Sequence, residues 1–202
     1  MYTLDEILAY VLWGSILAIP TIVLTWYYLT RIRDKKPAYY GRQVQKLLKR
    51  TASVRHHKVM EHVEIQSGGK SAVLPHLMIG PFGVLVVTTL DQRGSYFGEA
   101  KSKNWIHDDG KARREIPNPY LRTQKAIEVM RDLFSRNAIY SVPVEHIIVF
   151  DSYPKKTGCF LGNDITAMRL SQLKDYLYKD KFEKDNGVDE EKIFQLLSGD
   201  VQ

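Results

Sequence analysis

A single cysteine, Cys159, stands in the 202 residues. One thiol closes no intrachain disulfide and supplies at most one thiolate, so neither a disulfide framework nor a cysteine-rich zinc site organises this chain. A reducing compartment suits such a sequence. Acidic residues are missing where they would matter most: residues 31–60 hold ten Lys and Arg against Asp34 alone, while the whole chain carries a net charge of +6. The basic character is therefore local, and a local excess points to a lipid or phosphate surface beside that stretch rather than to a generally cationic protein. The glycines form no nucleotide-binding loop, since Gly68-Gly-Lys-Ser71 lacks the P-loop spacing. Internal repeats and long low-complexity tracts are also absent, and nothing favours serine or cysteine nucleophile chemistry.

Charge is absent altogether from Ile7 to Thr30, a run of 24 residues. As a helix this run would extend about 36 Å, against a hydrocarbon core of about 30 Å. Trp26, Tyr27 and Tyr28 fall where an interfacial aromatic belt belongs, and Pro20 at mid-span is tolerable in a membrane helix. A cleaved signal peptide would want a basic start; this chain opens with Asp5 and Glu6 and follows the run with Arg31-Ile-Arg33. The pattern predicts a short extracytoplasmic segment over 1–6, a transmembrane helix over 7–30 and a basic linker over 31–37. Arg31, Arg33, Lys35 and Lys36 place the carboxyl side in the cytoplasm by the positive-inside rule, so the expected location is the cell (inner) membrane, single-pass. The same four residues suit anionic headgroups, at roughly 1 kcal/mol each.

Beyond the linker, Tyr39 to Thr51 has the period of an amphipathic helix, with Val44, Leu47 and Leu48 on one face and Arg42, Lys46, Lys49 and Arg50 on the other. That basic face is either solvated surface or a phosphate-facing patch. Val54 to Ile65 and Ala72 to Ile79 read as strands of a hairpin around Gly68-Gly69. Pro75 cannot donate to a ladder, which confines it to an edge, a bulge or a strand start. His56, His57 and His62 are too far apart along an extended strand to share one ion, so no metal is expected there. Gly83-Val-Leu-Val-Val87 is apolar on both faces and predicts the centre of a mixed sheet. The stretch from Glu99 to Pro117 reads as a polar loop, Asn118-Pro119 as a helix start, and Val142 to Phe150 as a second buried strand. Helices are expected after Asp164 and after Asp189.

Helix, hairpin, central strand, glycine-bounded turn, Trp, Asn-Pro helix and strand, in that order, resemble the nuclease-related domain (NERD), a branch of the PD-(D/E)xK nuclease superfamily. The residues that carry the likeness are Gly41, Gly83–Val87, Gly94–Gly98, Trp105, Asn118-Pro119 and Ile147–Phe150. The resemblance implies an α/β, restriction-endonuclease-like mixed sheet flanked by helices over 38–155, leaving 156–202 as a helical extension. It also implies Mg²⁺ ligands: an Asp on the strand before the central one, then Glu-x-Lys on the central strand, for phosphodiester cleavage. The matching positions here are Pro75 or His76, Thr88 and Leu90. Arg42 stands where an acid is implied beside the helix glycine, and Arg122 where a Gln is implied after the Asn-Pro.

With those types replaced, the expected protein is a membrane-anchored, catalytically inactive module. It would bind nucleic acid or a protein partner, with Arg42, Lys46, Lys49 and Arg50 as binding residues and no cofactor. Glu99-Ala-Lys101 is nevertheless a literal Glu-x-Lys with Asp91 upstream. The alternative is a Mg²⁺-dependent nuclease using Asp91, Glu99 and Lys101. A third reading is a structural membrane adaptor whose basic residues serve lipid alone.

Overall fold

Four consecutive apolar side chains, Val84 to Val87, are each no more than 1% exposed, and a strand that shows no face to water belongs in the middle of a sheet. The computed structural model describes residues 18–28, 38–92, 94–150 and 158–199. Its first compact unit, Met1–Tyr39, contributes a helix over 18–28, α1. On α1, Ile19, Ile22, Val23, Leu24, Trp26, Tyr27 and Tyr28 are all exposed. Among the described residues no helix is long and apolar enough to cross a membrane. The span expected over 7–30 therefore has no support from the structure; residues 7–17, 29 and 30 lie outside the described residues, as do 1–6 and the linker with Arg31, Arg33, Lys35 and Lys36.

The second unit, Tyr40–Gln202, holds the rest. After α1 the chain runs α2 (Ala38–Arg55), β1 (Lys58–Ser67), β2 (Lys70–Gly80), β3 (Gly83–Leu90), β4 (Ser95–Gly98), β5 (Asn104–Asp108) and β6 (Arg113–Pro117). There follow α3 (Pro119–Arg136), β7 (Val144–Phe150), β8 (Cys159–Leu161), β9 (Ala167–Arg169), α4 (Leu170–Leu177), a 3₁₀ turn (Asp180–Phe182) and α5 (Glu190–Ser198). Five strands form one sheet in the order β1-β2-β3-β7-β9, and four form a smaller one in the order β6-β5-β4-β8. β3 pairs antiparallel with β2 and parallel with β7, so the larger sheet is mixed, with β3 at its centre. The fold is thus α/β with mixed sheets flanked by helices.

Strand alternation divides the core. Val84 and Val86 face Ala126, Met130 and Phe134 of α3 and Ile193 and Leu197 of α5. Leu85 and Val87 face Val44 and Leu48 of α2 and Leu173 and Leu177 of α4. Each such burial contributes about 2 kcal/mol, which fixes which face of β3 looks at which helix. A third cluster, with Leu90, Tyr96, Trp105, Ile148, Phe150 and Ile165, joins the two sheets. Gly83 allows the parallel pairing to begin: it sits at φ +122, and a Cβ there would collide with the Pro143 carbonyl, whose oxygen accepts from Val84 N at 2.9 Å.

Two sequence expectations change. The stretch 99–117 is no loop but the β5–β6 hairpin, with Asp108 and Asp109 side chains capping the turn at Gly110, Lys111 and Ala112. The residues beyond 156 do not stand apart as a helical extension. β8 completes the smaller sheet, β9 edges the larger one, and α4 and α5 close the two main cores.

Pro75 lies inside β2, between β1 and β3. The β2–β3 ladder runs from Gly80↔Gly83 to His76↔Val87 and stops there, and the β1–β2 ladder omits His62 opposite Pro75. The missing donor is accommodated by a break in both ladders. At this break the inward phase slips by one: Leu77 and Ile79 face the α3 side beyond it, Leu74 and Ala72 before it. His62 takes φ 50 opposite, as expected where paired strands carry a bulge-like irregularity.

Candidate functional site at the end of the central strand

The carboxyl end of β3 has two faces. Toward α3 lies Thr88, 3% exposed. Its Oγ1 is 2.9 Å from Thr123 Oγ1 and 2.9 Å from His146 Nε2. Gln124 Nε2 is 3.1 Å from His146 Nδ1, and the Tyr120 ring stacks on the imidazole at 4.8 Å and 11°. Tyr120, Thr123 and Gln124 reach one spot because residues three and four apart share a helix face. Burial pushes the His146 pKa down to about 4, so the ring is neutral near neutral pH. With the Gln124 amide donating to Nδ1, the ring proton sits on Nε2 and donates to Thr88, whose hydroxyl proton is left for Thr123. The chain of bonds is complete and contains no carboxylate.

Of the other positions singled out by the resemblance, Pro75, Leu90, Arg42 and Arg122 hold no metal donor. Leu90, 4% exposed, packs in the apolar cluster between the sheets, and Pro75 marks the end of the β2–β3 ladder. Arg42 and Arg122 are exposed. Mg²⁺ takes oxygen ligands, usually carboxylates, so Pro75, Thr88 and Leu90 do not fit the ion.

Toward α2 lie His76, Thr89 and Asp91, with Glu61 and His62 from β1. His76 is 3% exposed; its Nδ1 is 3.8 Å from Glu61 Oε1 and has no hydrogen-bond partner. Burial lowers its pKa. Burial raises that of Asp91, opposed by bonds from the Thr89 hydroxyl and the Gly41 N–H; the Asp91 Oδ1 atom is buried without a partner. Among the described residues no group of three or more His, Cys, Asp or Glu is placed to hold a metal ion.

The alternative set sits on different stretches of chain. Asp91 is half-buried near the start of α2, whereas Glu99 and Lys101 are exposed beyond β4, a strand of about 13 Å. The backbone there is pinned rather than loose: the Glu99 carbonyl accepts from Trp105 Nε1 at 3.0 Å and Asn118 Nδ2 at 3.1 Å. His146, Thr123, Gln124 and Tyr120 have no spacing in the sequence that would have drawn attention to them; only the pairing of β7 with β3 brings them together.

Two surface features complete the picture. Arg42, Lys46, Lys49 and Arg50 are all exposed on α2, a helix of 18 residues without one acid. On the smaller sheet Phe97 and Phe160 stack at 4.9 Å and 9°, Phe160 being 59% exposed, and the Arg113 guanidinium lies 5.8 Å from the Phe97 ring centre. Residues 37–151 match the family model of the nuclease-related domain. No curated protein and no solved structure matches the chain.

Proposed function

Because the chain belongs to the nuclease-related domain family, we propose that it is a catalytically inactive member acting as a binding module, for nucleic acid or a protein partner, tethered to the membrane by residues 7–30 with its carboxyl-terminal domain in the cytoplasm. One observation carries the loss of catalysis: Thr88, standing where the resemblance implies a metal-binding Glu, is committed to Thr123 and His146 in a closed neutral network. A phosphodiester needs charge stabilisation and an activated water, and neither a neutral imidazole bonded on both nitrogens nor two threonine hydroxyls supplies them. What remains is recognition, and the stacked Phe97 and Phe160 with Arg113 offer a partner-binding face. The tether rests on the uncharged run 7–30 and the basic flank that follows it. No cofactor is required; Mg²⁺ belongs only to the alternative with Asp91, Glu99 and Lys101.

The full-length protein in detergent is expected to leave linear and supercoiled DNA intact with Mg²⁺ or Mn²⁺. Mg²⁺-dependent cleavage that disappears in Glu99→Ala would overturn the proposal in favour of the relocated site. For the tether, the chain is expected to stay with membranes through alkaline extraction; recovery in the soluble fraction without detergent would defeat it.

A further inference from the structure

Helix α2 carries no acid of its own. Some cations of the domain are partnered: Arg55 at the end of α2 with Glu183, Lys58 with Glu191, Arg113 with Asp108, Arg136 with Asp132, Lys181 with Glu145. Lys46, Lys49 and Arg50 have no acidic partner among the described residues. With Arg42 they stand at steps of four, three and one, a single stripe about 12 Å long. The stripe cannot turn inward, because Val44 and Leu48 on the opposite face are fully buried against Met78, Leu85 and Val87. Like charges four apart on a helix repel, and among the described residues no acid pairs with Lys46, Lys49 or Arg50 to relieve them. A polyanionic surface would.

We propose that this stripe of α2 lies on an anionic lipid surface. Charge complementarity alone would also admit nucleic acid. Lipid is favoured because, among the residues whose side chains are described, the exposed neighbours of the stripe, Gln43, Ser53 and Val54, include no aromatic on which a base could stack. Continuity adds to this: the basic tract Arg31, Arg33, Lys35 and Lys36 follows the uncharged run and leads through Pro37 directly into α2. The inference rests on the membrane reading only for the nearness of a bilayer; the stripe would then set which side of the domain faces the membrane, leaving the aromatic face of the smaller sheet to a partner.

The test uses a fragment of residues 38–202, which keeps every residue of the three cores. Its flotation is measured with phosphatidylcholine vesicles, with and without phosphatidylserine. Binding is expected only with phosphatidylserine and should fall as salt rises. At about fivefold in partitioning per cation, the triple variant Lys46→Glu, Lys49→Glu, Arg50→Glu should lose more than about 100-fold, with unchanged circular dichroism and melting. Equal binding to both vesicles, full binding by the triple variant, or duplex DNA engaging these cations more tightly than lipid would overturn the proposal. Such a failure leaves the alkaline-extraction result untouched, since the fragment lacks residues 7–30.

Discussion

Thr88 and Thr89 are neighbours in sequence and opposites in circumstance. Thr88 looks toward α3, where its hydroxyl, Thr123, His146 and Gln124 satisfy one another. Thr89 looks toward α2, where it serves Asp91, whose other oxygen, like His76 Nδ1, is buried unpaired. The difference teaches that two faces of one strand end can hold polarity in different ways: the α3 side is a neutral network that a charge would disrupt. The α2 side keeps ionisable groups whose unpaired atoms cost stability rather than supply it.

Breaking the α3 side outright should have the largest effect. Thr88→Glu places a carboxylate among Thr123, His146 and Tyr120 without a cation, and a loss of about 4 kcal/mol is expected by denaturant unfolding; a variant as stable as the parent would erase the contrast. Acid is next. His146 is held near a pKa of about 4 against 6.5 when unfolded, so its contribution is complete above the unfolded value and is lost as pH falls from 6.5 toward 4, where the folded ring also protonates. The loss is about 3 kcal/mol, measurable as a pH series of unfolding midpoints that flattens in His146→Gln. Thr88→Val, which keeps shape and removes the hydroxyl, should cost about 2 kcal/mol by orphaning its partners, and Thr89→Val less than about 1 kcal/mol. Smallest are His76→Met and Asp91→Asn. The first is expected within about 1 kcal/mol of neutral, since Nδ1 makes no bond to lose. The second removes a carboxylate whose raised pKa means stability declines as pH rises through it, so a slight gain at pH 7 is expected, and a clear loss would show that the charged form is wanted.

Much of the scaffold was legible. The doubly apolar Val84 to Val87 declared a central strand, and Asn118-Pro119 declared the start of α3, where the Asn118 side chain accepts from Leu121 N. The β5–β6 hairpin was not, because its outward residues, Asn104, Asp108, Arg113 and Glu115 beside Ile106, are mostly polar, and five-residue strands leave only Trp105, His107 and Ile116 to mark the inner face. The resemblance drew attention to Thr88; the network that holds its hydroxyl could not be read from it. His146 lies opposite Val86 across a parallel ladder, and such pairing leaves no local trace, while Tyr120, Thr123 and Gln124 read simply as the first turns of a helix.

That parallel ladder also sets a tempo. Hairpins such as β1–β2 close through the short turn at Gly68-Gly69, but Val84 must wait for Val144, with the smaller sheet's first three strands and all of α3 made in between. Loop-closure entropy must be met before so distant a pairing rewards it. The hairpin should therefore form early and the β3–β7 seam late, leaving the most apolar strand of the molecule uncovered on one edge for the longest part of its folding.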